Sequence, residues 1–387
     1  MTFADRIEPL LASAVEGGDL AGIVATVESA GEQLYAGSAG HFELDGGGAT
    51  YEVDTPLRIA SMTKAVTSVA AMQLVERGLL DLDVPVSRWL PRLEAPSVIE
   101  ADGTLLRAAR TAITARQLLT HTSGFAYPIW NARLAAYLEE HPLPAANVAG
   151  AAMLGAPLVS EPGTQWEYSI STDWVGELVV TISGQSLGEY FAEHIFGPLG
   201  MTDSGFRTAA SEPRIATLHQ RQSDGTLLPL DPPPGGARGY QSGGAGLHST
   251  ASDYGRFLRM VLGRGSLDGS RVLDAGTVEE MAQSHTGDLD GVGVLTSTNA
   301  AMSNSDDMSF GHAAGFGLGF LVTLETSRTG RSAGSLSWAG MFNTYYWIDL
   351  ARDVAGALYT QVLPFLDRPV LDLGREFERA TYESLDG

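Results

Sequence analysis

Ser61 and Lys64 stand three residues apart in RIASMTKAVTSV, residues 58–69, and Lys64 is the sole lysine among 24 basic residues. The pairing has a chemical reading. A guanidinium keeps its proton in any protein environment, whereas an ammonium buried beside a hydroxyl can give its proton up and act as a base. On a helix, a spacing of three sets both side chains on one face, one turn apart. Backbone N–H groups at the same helix start favour negative charge as it develops. Ser61 is the candidate nucleophile and Lys64 its candidate base.

Competing chemistries find less support. GQSLG, residues 184–188, fits the G-x-S-x-G nucleophile elbow, but that motif needs a preceding strand and here a helical run, Trp174 to Ile182, comes first. Ser186 and Glu189 read instead as the capping box of the next helix. The eight histidines lack metal-ligand spacing, and the absence of cysteine removes thiol nucleophiles, disulfides and thiolate sites. No metal and no cofactor are expected. GFGLGF, residues 315–320, falls in a predicted strand region and reads as sheet backbone rather than a phosphate cradle.

Acids outnumber bases 46 to 24, and the resulting charge of -22 disfavours nucleic acid and anionic membrane surfaces as partners. No apolar run reaches the roughly 18 residues of a membrane span. The N-terminal MTFADRIEPLLASAV spaces Phe3, Ile7, Leu10 and Ala14 along one helical face and reads as part of the fold, not as a signal peptide. A cytoplasmic protein acting on a small molecule is expected. The sequence carries no signal for its oligomeric state.

The elements that must position Ser61 and Lys64 follow from the hydrophobic pattern. From Ser61 to Arg77 apolar residues surround most of the helical wheel, so this helix is expected to be buried and to stop at Gly78. AGIVATVES and EQLYAG read as a hairpin near the N-terminus. GLGFLVTLE, FNTYYWID and VAGALYTQ read as strands near the C-terminus, closed by a helix carrying Val370, Leu373, Phe377 and Ala380. The middle of the chain is richer in helical periodicity. One antiparallel sheet from both termini, flanked by helices, is predicted: an α/β lobe from 1–80 and 241–387, with an inserted helical lobe at 81–240. Two segments, near 230–246 and 285–317, are predicted loops; the second is long enough to border a site.

Ser61-Met-Thr-Lys64 is followed by LLTHTSG at 118–124, EPGTQWEYS at 161–169, SGGAGLHSTASDYGRF at 242–257 and WAG at 338–340. In this order, across almost the whole chain, these landmarks resemble the serine β-lactamase and penicillin-binding superfamily, in particular class C β-lactamases and family VIII carboxylesterases. The resemblance implies a β-lactamase-like fold with the site between the two lobes. It implies that Ser61 forms an acyl-enzyme, that Lys64 is its base or proton shuttle, and that Tyr168 shares in proton transfer. The backbone N–H groups of Ser61 and Met341 would form the oxyanion hole. Trp338, Gly340, Tyr127 and Asp173 would line the substrate pocket.

Two positions depart from the β-lactamase pattern. Ile170 stands where β-lactamases carry the asparagine of Y-x-N, and Trp338 where they carry the lysine or histidine that faces a drug carboxylate. Losing that cation weakens carboxylate binding by about 1.5–3 kcal/mol, roughly 10- to 150-fold. A neutral acyl ester fits better. The expected function is a serine carboxylesterase for small to medium neutral acyl esters. Acyl transfer by the same residues is the first alternative, followed by β-lactamase or D-peptidase action and by a covalent penicillin sensor.

Overall fold

A computed structural model of the chain describes residues 2–100, 103, 106–143, 151–206, 214–230 and 240–387. Helix α1 (Phe3–Glu16) leads into strands β1 (Gly22–Glu28) and β2 (Gln33–Gly40). Helices α2 (Thr63–Glu76), α3 (Ser171–Ser183) and α4 (Ala251–Leu262) follow. The chain then returns through β3 (Ala314–Phe316), β4 (Leu321–Thr323), β5 (Leu336–Gly340), β6 (Thr344–Asp349) and β7 (Val354–Tyr359), and ends in α5 (Arg368–Asp386). The seven strands form one antiparallel sheet in the order β3-β4-β5-β6-β7-β1-β2, so the two termini meet where β1 pairs with β7.

Alternation along β1 divides the core. Ile23, Ala25 and Val27 pack with Ile7 and Leu11 of α1 and with Val370 and Phe377 of α5. Val24 faces the opposite way, into a larger core that includes Tyr254 and Phe257 of α4 and most of α2. With both faces covered, every residue of β1 is buried, which accounts for its near-continuous apolar run. A buried carboxyl, Glu28, ends that strand and accepts a hydrogen bond from Gln33 Nε2 at 2.9 Å.

GLGFLVTLE does not run as one strand. Residues 317–320 turn tightly between β3 and β4, and Gly319 has φ +102° with no room for a Cβ, which would lie 2.2 Å from Ser68 Oγ on α2. The turn is pressed onto the helix that carries Lys64.

Helix α2 is buried from Thr63 to Leu74 and packs against α3. Residues 242–244 thread between them. A Cβ on Gly243 would sit 2.9 Å from Thr172 O and 3.1 Å from Thr67 Cγ2, so only glycine allows the passage. After α3, Ser186 caps the short helix Leu187–Phe191 with Glu189 in a full capping box, and no strand precedes it. Of the two predicted loops, residues 231–239 of the first lie outside the described residues. The second is irregular as far as residue 313 apart from a two-residue ladder, Val294–Leu295 against Asp306–Asp307, but its last residues, Ala314–Phe316, form β3 at the edge of the main sheet, where a loop was expected. It is tied to the segment around Trp130: Thr298 N donates to Ile129 O at 2.9 Å, and Trp130 Nε1 to Ser303 Oγ at 3.0 Å.

Candidate active site

Ser61 sits in a single 3-10 turn, Ala60–Met62, immediately before α2, rather than inside the helix. Ala60 holds φ +42°, a left-handed conformation that costs a residue with a Cβ about 1–2 kcal/mol. Neighbours hold the turn in place. Ile59 N donates to Leu247 O, Gln361 brackets the Arg58 backbone at 3.2 and 3.0 Å, and Tyr254 OH donates to Met62 O at 3.1 Å. The strain is concentrated one residue before the hydroxyl, as at sites where a side chain must be presented rather than packed.

Lys64 is 2% exposed, so its amine is cut off from bulk water. Its Nζ donates to Gly244 O at 2.8 Å, to Ser61 Oγ at 3.2 Å and to Tyr127 OH at 3.2 Å. An ammonium has three donors and all three are used. A neutral amine could keep the bonds to Gly244 and Tyr127 and turn its lone pair on the serine hydroxyl. That geometry suits a base directed at Ser61.

Both tyrosines lie against the Lys64 amine, through different atoms. Tyr168 offers Lys64 its ring face, with Nζ 4.8 Å from the centroid, while its hydroxyl accepts from Trp338 Nε1 at 3.2 Å. The phenol that bonds the amine directly is that of Tyr127. Burial first, and then the Asp173 carboxylate, push the Tyr127 pKa well above the ordinary phenol range, so it stands as a neutral hydroxyl. Trp338, expected to line the substrate pocket, is buried, and its indole N–H donates to the Tyr168 hydroxyl from the strand side.

Asp173, in the first turn of α3, was expected to line the substrate pocket. It is buried, and its Oδ1 accepts from Ser242 Oγ at 2.6 Å and from Gly244 N at 3.1 Å. Burial raises its pKa and the nearby Lys64 charge opposes the rise. Its carboxylate is committed to the glycine segment, whose carbonyl receives Lys64. This part of the site was absent from the motif reading, although SGGAG was among the landmarks.

The segments that carry Tyr127 and Tyr168 are laced together. Tyr127 N donates to Tyr168 O, Glu167 N donates to His121 O, and His121 Nδ1 lies 3.0 Å from Ser169 Oγ. Burial, followed by the Lys64 charge, pushes His121 well below the ordinary histidine pKa, so its imidazole is a neutral strut edge-on to Tyr168. Gly124 of LLTHTSG has φ +87°, and a Cβ there would lie 2.3 Å from Ser160 O. Trp130, which the sequence did not single out, packs on both phenols with ring centroids 5.7 Å from Tyr127 and 5.1 Å from Tyr168.

Gly340 ends β5 against the turn that holds Ser61. A Cβ at that position would be 2.3 Å from Ile59 O and 2.3 Å from Thr344 Oγ1. Only glycine brings the strand end, and with it the amide of Met341, this close to the turn that holds Ser61. Among the described residues no cluster of three or more carboxylates and histidines could hold a metal ion, and no helix is long and apolar enough to cross a membrane.

Known proteins share this arrangement. The sequence profile of the family described as Beta-lactamase matches residues 3–380. Monacolin J acid methylbutanoyltransferase of Aspergillus terreus is 34% identical over 349 residues, covering 86% of this chain and 83% of that protein. Esterase EstB of Burkholderia gladioli is 30% identical over 390 residues, covering 93% of this chain and 90% of that protein. Among solved structures, a simvastatin synthase from Aspergillus terreus, the LovD6 mutant, superposes with a TM-score of 0.85 at 30% identity over 99% of this chain and 98% of its own. The antiparallel sheet with its flanking helices is the β-lactamase-like fold, and the chain belongs to the Beta-lactamase family of serine hydrolases and acyltransferases.

Proposed function

We propose that the protein forms an acyl-enzyme on Ser61 from neutral, small to medium acyl esters, and that the same site passes the acyl group to water or to an acceptor hydroxyl. The observation that carries this reading is the bond between the Nζ of Lys64, a residue 2% exposed, and the Oγ of half-buried Ser61. In the first step the Ser61 proton moves to the neutral Lys64 amine as Oγ attacks the acyl carbon. The amides of Ser61 and Met341 receive the developing oxyanion. The Lys64 ammonium then returns its proton to the departing alkoxide. Tyr127, bonded to the amine, steadies it through both transfers, while Tyr168, held by Trp338, lies beside the leaving group and shares that proton transfer.

The division into lobes fits this assignment. Ser61 and Lys64 come from the 1–80 part, Tyr127, Tyr168 and Asp173 from the 81–240 part, and Gly244 and Trp338 from the 241–387 part. On this reading the substrate enters between them. Preference for a neutral ester rests on Trp338, since its apolar ring lies where related drug-hydrolysing enzymes carry a cation.

Acyl transfer has support of its own, because the relatives include a methylbutanoyltransferase as well as an esterase. Incubating the protein with p-nitrophenyl butyrate and a graded alcohol separates the two. Release of nitrophenol with butyric acid as the product supports hydrolysis; a butyrate ester of the added alcohol supports transfer. Parallel turnover of nitrocefin at a comparable rate would contradict the neutral-ester reading.

A further inference from the structure

A cavity of about 430 Å³ lies between α5 and strands β4 to β6, on the face of the sheet that α1 and α5 cover. None of Ser61, Lys64, Tyr127 or Tyr168 lines it, and Trp338 is the one site residue it shares. Its floor is apolar and aromatic, from Leu321, Trp347 and Leu358 to Phe377. Its charge is opposite to that of the molecule. Five lining residues are arginines, namely Arg328, Arg331, Arg368, Arg375 and Arg379, and the single lining carboxylate is Glu378, in a chain with nearly twice as many acids as bases.

Not all of that positive charge is free. Glu378 pairs with buried Arg331, Asp372 reaches Arg368 at 3.2 Å and Arg375 at 2.7 Å, and Glu376 reaches Arg379 at 2.7 Å. Three carboxylates therefore answer five guanidiniums, and the balance is positive. Arg331 and Arg375 also lie over the rings of Trp347 and Phe310, which keeps both guanidiniums against the aromatic lining.

One further observation points to an occupant. Gly374 lies inside α5, where glycine costs about 1 kcal/mol relative to alanine. Its φ is not in the left-handed range and a Cβ there would meet nothing within 4 Å, so neither backbone geometry nor crowding requires it. It does line the cavity, where a larger side chain would occupy the space.

We infer that this cavity is a second ligand site, separate from the Ser61 cleft, for an acyl chain ending in a carboxylate. The apolar floor would take the chain and the arginine rim the head, and the volume suits a medium-chain acid. Such acids are also what ester hydrolysis would release, but the inference rests on the cavity alone and stands whether or not Ser61 is the nucleophile.

Calorimetric titration of octanoate and of octanol into the full-length protein tests it. Octanoate is expected to bind saturably to the wild type and equally to Ser61→Ala. Gly374→Leu, which fills the cavity with a better helix former, should weaken binding at least about tenfold, equivalent to about 1.4 kcal/mol, while esterase turnover is kept. Arg328→Glu at the exposed rim should weaken octanoate and leave octanol unchanged. Absence of saturable binding below about 10 mM octanoate, a weaker affinity than a built site should give, overturns the inference. So does equal affinity for octanol, or binding lost in Ser61→Ala and untouched in Gly374→Leu, which would place the acid in the catalytic cleft.

Discussion

At the scale of single residues, the site turns on which groups share the Lys64 amine. The rings of Tyr127 and Tyr168 both face it, but only Tyr127 also bonds it through its hydroxyl. The two should therefore respond differently to loss of the phenol oxygen. Tyr127→Phe removes one of three acceptors from a buried amine and is expected to lower kcat about 100-fold or more through Lys64 itself, with KM little changed. Tyr168→Phe leaves the amine bonded but releases Trp338, so its effect should depend on the leaving group, smaller for p-nitrophenyl than for ethyl esters. Steady-state kinetics on the two ester types checks both; equal losses on both esters for both variants would show that the phenols act as a unit. Trp338→Lys is expected to raise the ratio of nitrocefin to butyrate ester turnover about 10-fold or more. An unchanged ratio would show that the indole does not set the charge preference.

Residue chemistry was also where the sequence was most legible. The lone lysine three places after a serine singled out the Ser61–Lys64 pair, the later landmarks supported it, and the structure brings Lys64 Nζ to 3.2 Å from Ser61 Oγ. Asp173 and Gly244 were harder to see. The Asp173 carboxylate accepts from the backbone N–H of Gly244, 71 positions on, and the Gly244 carbonyl accepts from Lys64; backbone partners leave no pattern in residue types.

At the scale of elements, glycine and buried charge decide how the parts meet. Gly340 lets β5 touch the Ile59 carbonyl, so Gly340→Ala must push the strand away from the nucleophile turn. The expected result is a loss of several kcal/mol in stability or, where the strand yields, a fall in kcat with KM preserved. Urea unfolding and turnover measured on the same sample distinguish these. Glu28, on β1 beneath α4, has its pKa raised from 4.5 to about 7, chiefly by burial.

The sign of the Glu28 effect follows from proton binding. Between those values the folded state holds a proton that the unfolded state has lost, so stability is greatest below about pH 4.5 and falls as pH rises through 7. The ceiling is about 3 kcal/mol. Glu28→Gln retains an acceptor for Gln33 and should remove this slope. Denaturant titrations at pH 5 and pH 8 should show the variant gaining on wild type by roughly 2–3 kcal/mol between them. A constant difference would mean that Glu28 is ionised in the folded state across that range.

Element boundaries were read less well than element types. The paired hairpin and the two terminal helices followed from periodicity, but GLGFLVTLE gave no sign that its glycines turn to press on α2, because the contact is with a residue some 250 positions away. Ser61 was expected within a helix and lies in the turn before it. The left-handed Ala60 that separates the two is a tertiary compromise, and alanine gives no sequence signal for it.

On the scale of the whole molecule, the sheet is completed only when the N-terminal hairpin pairs with the C-terminal strands, and the proposed acid–base group draws on three distant parts of the chain. Clustering of strand patterns at both ends made the closure legible. Rotamers, phenol assignments and the arginine-rimmed cavity were not, since they depend on how the parts pack.

The central claim is that a buried, proton-accepting amine at position 64 activates Ser61. Rapid-quench intact-mass measurement of wild type and Lys64→Arg mixed with p-nitrophenyl butyrate tests it most directly. The account predicts a butyryl adduct on Ser61 in the wild type within the first turnover, and a rate of adduct formation at least about 1,000-fold lower in a folded Lys64→Arg protein, because the charge remains and the base is gone. Acylation of Lys64→Arg at the wild-type rate, or an adduct mapped to a residue other than Ser61, would contradict it.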